Sequence, residues 1–190
     1  MEKLIEVRWH GRGGQGAVTA SKLLATSALA EDKYIQAFPE YGPERMGAPI
    51  QSFTRISETP IKIHCHVTNP DIVVVLDPTL LGVVDVTEGL TEDGVLIINT
   101  EESPVQTREK LNLKGRKVYT VDASKIAQET IGKPMPNTPL IGALIKATGL
   151  LSLDKALVDI EDKFKKKFNS KIVEGNINAI KRAYQEVKGE

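Results

Sequence analysis

The 190-residue sequence is most informative first in what it has little of. A single cysteine, Cys65, excludes an internal disulfide and excludes an iron–sulfur cluster held by this chain alone, since such clusters are normally held by four thiolates. One thiol in a chain of this length indicates a reducing compartment, and we expect a cytoplasmic protein. Aromatic residues make up 5% of the chain and 25 basic side chains are balanced by 25 acidic ones. A nucleic-acid binder usually carries a basic excess and aromatics for stacking, so that class is excluded. No apolar stretch approaches the roughly 18 residues of a membrane span, and MEKLIEVRWHGRGGQG lacks the apolar core of a signal peptide. The motifs H-E-x-x-H, G-x-S-x-G and the P-loop lysine pattern are missing as well, so no catalytic residue and no metal ligand is assigned.

What is present is an alternation of strand-like and helix-like segments. Leu4 to Trp9 is a short apolar run ending at a glycine cluster, Ala17 to Ala30 places Ala20, Leu24 and Ala28 on one helical stripe, and Tyr34 to Phe38 reads as a second strand, giving a βαβ unit. Pro39 to Pro49 holds three prolines and two glycines in eleven residues and must be a shaped loop. Ile50 to Ile56 and Ile61 to Val67 flank SETP and predict an antiparallel hairpin inserted in the sheet. The continuous apolar run of Asp71 to Leu76 suits a strand buried on both faces, and Gly94 to Ile98 and Lys117 to Val121 repeat it. The closing third shows helical spacing throughout, with Leu140, Leu144, Leu153, Leu157, Ile160, Val173, Ile177 and Ile180 as core positions. The expectation is one α/β domain over residues 1–190, a three-layer Rossmann-like fold with a mostly parallel sheet, an inserted antiparallel hairpin and a helical C-terminal third.

Gly11-Arg12-Gly13-Gly14-Gln15-Gly16 follows a predicted strand and opens a predicted helix, the setting in which a G-x-G-x-x-G pattern has a mechanism. Gly11 and Gly13 permit a tight turn, Gly16 permits close helix–strand packing, and N–H groups at the helix start favour a phosphate, to which Arg12 could add its charge. A dinucleotide site would also want an acidic residue closing the second strand. Glu31 and Asp32 precede that strand, and Phe38-Pro39-Glu40 stands at its end, which weakens a nicotinamide reading. His64-Cys65-His66 on a strand would put both imidazoles on one face and the thiol on the other, so the three would not converge on a metal. Glu44 and Arg45 lie in the proline-rich loop beside the same crevice, as an ion pair or as ligand contacts. Asn137 or Thr138 is expected to cap a helix whose first turn contains Pro139. Asn176 stands on an otherwise apolar stripe, where a buried amide needs partners.

HGRGGQG, FPEYGPERMGAPIQSFTRIS, NPDIVVVLD and NTPLIGALIKATGL, in that order, resemble the gamma subunit of 2-oxoacid:ferredoxin oxidoreductases of the pyruvate synthase type, over about Val7 to Val187. Members acting on other oxoacids often read YGPEMRGG where this chain reads YGPERMGA, which leans towards pyruvate or a branched-chain oxoacid. The resemblance implies a subunit of an enzyme that converts pyruvate, coenzyme A and oxidised ferredoxin to acetyl-CoA, carbon dioxide and reduced ferredoxin. It further implies alpha, beta and delta partner subunits, with thiamine diphosphate, Mg2+ and iron–sulfur clusters held by them and coenzyme A as cosubstrate. The coenzyme A diphosphate is expected at Gly11, Arg12, Gly13, Gly14, Gln15 and Gly16, with Arg45, Asn137 and Asn176 as further contacts and the proline-rich loop as part of the wall near the thiamine site. A free-standing NAD-dependent oxidoreductase and a non-catalytic sensor of a phosphate ligand are the competing readings of the same glycine loop.

Overall fold

A computed structural model describes residues 4–40 and 47–190. Seven strands form one sheet in the order β2-β3-β1-β4-β5-β6-β7. They are β1 (Ile5–Arg12), β2 (Tyr34–Glu40), β3 (Pro49–Ser57), β4 (Ile72–Val75), β5 (Val95–Asn99), β6 (Lys117–Val121) and the short β7 (Lys188–Gly189). The neighbours β1, β4, β5 and β6 pair in parallel, while β3 runs antiparallel to both β1 and β2, and β7 runs antiparallel to β6. β2 is therefore codirectional with β1, and only β3 and β7 oppose the common direction.

The helices are α1 (Ala17–Leu29), α2 (Pro104–Lys110), α3 (Ala123–Ile131), α4 (Asn137–Thr148), α5 (Leu153–Lys165) and α6 (Ser170–Glu186), with a 3-10 turn at Pro78–Gly82. Strand alternation divides the core. Val7, Trp9, Ile72, Val74 and Ile97 face a helical layer contributed by α1 and α3 to α6. On the other face Val73, Val75, Leu96 and Ile98 are covered by Leu80, Val86 and Leu90 and by Leu111 and Leu113 beyond α2. The sheet is thus the middle of three layers, the second outer one thin. α4 is buried along Asn137–Ile145 because it lies between the sheet and α6. Gly142 makes that approach possible: a Cβ there would stand 2.1 Å from the carbonyl oxygen of Ile180.

Two expectations change. The antiparallel partner of β3 is β2, across the proline-rich loop, and not residues 61–67, which form no strand. Both edges of β3 are occupied by β1 and β2, so no edge remains for a third strand. Instead the buried Arg55 holds that segment, with Nη2 donating to the carbonyl of Cys65 at 2.8 Å, while Nε pairs with Glu6 at 2.7 Å. The βαβ unit is also split, because β3 lies between β1 and β2.

Candidate functional site

The sheet order changes direction between β1 and β4, and ligands of such sheets bind beyond the carboxyl ends of the strands at that point. β1 ends there in the glycine loop and β4 ends in Leu76-Asp77. The loop carries out its turn through two left-handed glycines, Gly14 at φ 95° and Gly16 at φ 83°. Gly11 is still in β1; a Cβ on it would lie 3.3 Å from that of Ala17, so this glycine lets α1 start close to its strand. Gly16 serves another neighbour. A Cβ there would stand 2.6 Å from Nδ2 of Asn137, so Gly16 brings the start of α1 against the start of α4 rather than against a strand.

The backbone donors of the loop divide into used and unused. Gly13 N–H donates to the carbonyl of Ala48 at 3.1 Å and Gln15 N–H to that of Arg12 at 3.1 Å, while Arg12 N–H goes to Oε1 of Gln15 at 2.7 Å. Among the described residues the N–H groups of Gly14 and Gly16 meet no acceptor, and those of the first turn of α1 have none within their helix. α1 has Gly16 as N-cap and no side-chain cap, and α4 likewise has none. The N-cap of α4 is Pro136, so neither Asn137 nor Thr138 caps it; they are its first two residues. Asn137 is 7% exposed, and its carboxamide takes part in no hydrogen bond among the described residues. Two uncapped, electropositive helix starts thus meet beside an amide that can donate or accept.

The side chains of the loop turn the other way. Asp77 collects them: its Oδ2 accepts from Nε of Arg12 at 3.1 Å and from Nε2 of Gln15 at 2.7 Å. Its Oδ1 accepts from the N–H of Thr79 at 2.9 Å and from the Thr79 hydroxyl at 2.7 Å. Burial raises the proton affinity of this carboxyl, but the Thr79 and Gln15 hydrogen bonds and the Arg12 charge together outweigh it and hold Asp77 below the usual carboxylate range. Arg12 also donates through Nη2 to the Thr79 hydroxyl at 2.9 Å and through Nη1 to the carbonyl of Gly47 at 3.0 Å. Each of its three guanidinium nitrogens thus donates to the protein itself, although 27% of the side chain remains exposed.

Asn176 is a satisfied buried amide. Its Oδ1 accepts from the Thr138 hydroxyl at 2.8 Å and its Nδ2 donates to the carbonyl of Ile172 at 2.8 Å, so it stands behind Asn137 and steadies the start of α4. Glu44 and Arg45 lie outside the described residues. His64, Cys65 and His66 fall on irregular chain with Cys65 exposed, and among the described residues no cluster of three metal-ligating side chains occurs. The closing residue of β2, Glu40, is carried away from the glycine loop by the width of β3, about 5 Å farther than in an adjacent-strand arrangement, which weakens a ribose contact again. No helix among the described residues is long and apolar enough to cross a membrane.

The family model for pyruvate ferredoxin/flavodoxin oxidoreductase matches residues 6–186. The chain belongs to that family. It is 50% identical over 185 residues to the common gamma subunit of pyruvate/ketoisovalerate oxidoreductases from Pyrococcus abyssi, covering 97% of this chain and 98% of the relative. The crystal structure of pyruvate oxidoreductase subunit PORC from Thermotoga maritima superposes with a TM-score of 0.86 at 44% identity, covering 99% of both chains. A chain of the 2-oxoglutarate:ferredoxin oxidoreductase from Magnetococcus marinus shares the fold at TM-score 0.78 and 17% identity, with this fold occupying 31% of that longer chain.

Asp77 and Thr79 escaped the sequence reading. Their signal was the D-P-T triplet closing a buried strand, in which an aspartate can accept from the residue two positions on and start a short helix. Arg8 and His10 were also missed. On the thin-layer face of β1, Arg8 Nε donates to Nε2 of His10 at 3.0 Å, and its Nη2 reaches the carbonyls of Val86 and Glu88. Burial and the neighbouring Arg8 charge push His10 down to about 4, so it is a neutral acceptor. The pair braces the strand that carries the glycine loop.

Proposed function

We propose that this chain is the gamma subunit of a multisubunit pyruvate or branched-chain 2-oxoacid:ferredoxin oxidoreductase, and that within it the chain seats the phosphates of coenzyme A. The supporting observation is the meeting of two helix starts without side-chain caps at Gly16 and Asn137, with the N–H groups of Gly14 and Gly16 meeting no acceptor among the described residues. An anion is the natural complement of such a place. Gly14 and Gly16 form the seat with their N–H groups, Gly13 and Gln15 shape the loop around it, and Asn137 lends its amide; Asn176 acts indirectly, through Thr138. Gly11 sets the approach of α1, and Arg12 orders the loop. The 190 residues act as one domain.

Carbanion and electron chemistry then belong to thiamine diphosphate, Mg2+ and iron–sulfur clusters held by alpha, beta and delta partners, with ferredoxin as acceptor; one cysteine gives this chain no means to hold a cluster. The proline-rich loop, with Glu44 and Arg45, forms part of the wall towards the thiamine site. Through the Gly13–Ala48 and Arg12–Gly47 hydrogen bonds its C-terminal end is fastened to the phosphate seat. The complex works in the cytoplasm.

Purification from native cells tests the assignment. Co-elution at equal stoichiometry with iron-containing partners, and coenzyme A-dependent oxoacid oxidation by that assembly, is the expected result. A solitary chain that reduces NAD by itself would overturn it in favour of a free-standing dehydrogenase.

A further inference from the structure

The two polar side chains of the glycine loop, Arg12 and Gln15, both end on one carboxylate oxygen, Oδ2 of Asp77, and Gln15 returns its own Oε1 to the N–H of Arg12. The other carboxylate oxygen is tied to Thr79, whose hydroxyl in turn accepts from Arg12. The result is a closed set of charge-assisted contacts joining the end of β1, the loop and the end of β4. Its charges cancel within the set. A phosphate arriving over the β1–β4 crevice would meet the Asp77 carboxylate and a guanidinium already engaged, whereas one arriving on the Gly16–Asn137 side meets N–H groups and the positive ends of two helices.

We infer that Asp77 is the positioning residue of the glycine loop: it holds Arg12 and Gln15 against β4, so that the anion is received by the main-chain donors of the loop and by Asn137, and not by the Arg12 side chain. This rests on the reading of the loop as a coenzyme A phosphate seat. Arg12 is then a structural cation whose role is to be held, and the unusual presence of a carboxylate at a phosphate site is accounted for.

The inference fixes the sign of a substitution. Asp77→Asn keeps the shape but removes the charge that both Arg12 and Gln15 seek. If Asp77 positions the loop, the assembled oxidoreductase carrying this variant shows a KM for coenzyme A raised on the order of tenfold, the size expected for losing a hydrogen bond to a charged group, and raised more than kcat at saturating coenzyme A is lowered. Thr79→Val, at the protein surface, removes one donor to the carboxylate and one acceptor for Arg12, and moves KM the same way by less. If Asp77 merely restrains an Arg12 that otherwise binds phosphate, Asp77→Asn frees the guanidinium and lowers KM; a lowered or unchanged KM overturns the inference. Amide hydrogen exchange separates this from the underlying reading. Coenzyme A that fails to protect residues 13–18 in the unsubstituted complex removes the phosphate-seat reading. The Asp77 inference is still decided in that case by the Arg12 and Gln15 amides of the full chain: faster exchange in Asp77→Asn, with the amides of Val7 and Trp9 unchanged, supports it, and equal exchange refutes it.

Discussion

Gly14 and Gly16 are both left-handed glycines in one loop, yet they are present for different reasons, and alanine at each separates them. Alanine at a left-handed position costs about 1–2 kcal/mol from its Cβ alone. At Gly14 that is the whole effect, because no described residue lies within 4 Å of the added atom. At Gly16 the new Cβ would also stand 2.6 Å from Nδ2, 3.0 Å from Cγ and 3.2 Å from Cβ of Asn137. The buried Asn137 has little room to swing, so α1 or α4 must shift, and overpacking of this kind adds about 1–3 kcal/mol. Urea unfolding of the full chain should give a loss of about 1–2 kcal/mol for Gly14→Ala and about 2–5 kcal/mol for Gly16→Ala. Combining each with Asn137→Ala completes the test. Truncation removes the two atoms responsible for the closest contacts, so Gly16→Ala and Asn137→Ala should couple by about 1 kcal/mol or more, while Gly14→Ala and Asn137→Ala add within about 0.5 kcal/mol. Equal losses at the two glycines, with no coupling to Asn137, would refute the account of how α1 and α4 meet.

Other parts of the scaffold yield predictions of their own. The unfolded chain takes up a proton on His10 near 6.5 and the folded chain only near 4, so stability should fall as pH drops through that window, by roughly 3 kcal/mol in all; a His10→Gln chain should lack this slope, and the imidazole should remain neutral by NMR at pH 5. Asn99 joins β4, β5 and α3 by donating to the Leu76 carbonyl at 2.7 Å and to Ser124 Oγ at 2.8 Å and accepting from Ser124 N–H at 3.1 Å. Asn99→Ala should cost about 2–3 kcal/mol in urea unfolding and loosen the strand end that presents Asp77. Arg55→Met leaves Glu6 without its buried partner and releases residues 61–66; a loss of about 3 kcal/mol and new protease cleavage within that segment are expected, and an unchanged digestion pattern would contradict its tethering role.

The sequence and the structure agree where the determinants are local. The apolar run at Ile72–Val75, the small stripe of α1 and the glycines that turn β1 into α1 are read from neighbouring residues, and each stands where its pattern places it. Strand pairing is decided between segments far apart. Ile61 to Val67 alternates as a strand would, but both edges of β3 are filled, so its pattern finds no partner and Arg55 takes over. α2 carries a local signature of its own, a reciprocal capping box of Ser103 and Gln106 around Pro104. At the site, the glycines were visible as glycines, whereas the neighbour that Gly16 accommodates comes from α4, more than a hundred residues away, and Asp77 becomes part of the loop only through the pairing of β1 with β4. The pattern that points to Asn137 or Thr138 as the cap of α4 is displaced by Pro136: Asn137 is the first helical residue, its amide unpaired among the described residues, while Asn176 bonds Thr138 and Ile172.

The most direct test of the central claim is amide hydrogen exchange on the assembled oxidoreductase with and without coenzyme A. The account predicts protection confined, within this subunit, to residues 13–18 and 137–138, where the two helix starts meet. Protection that bypasses these residues, or none in this subunit at all, would contradict it.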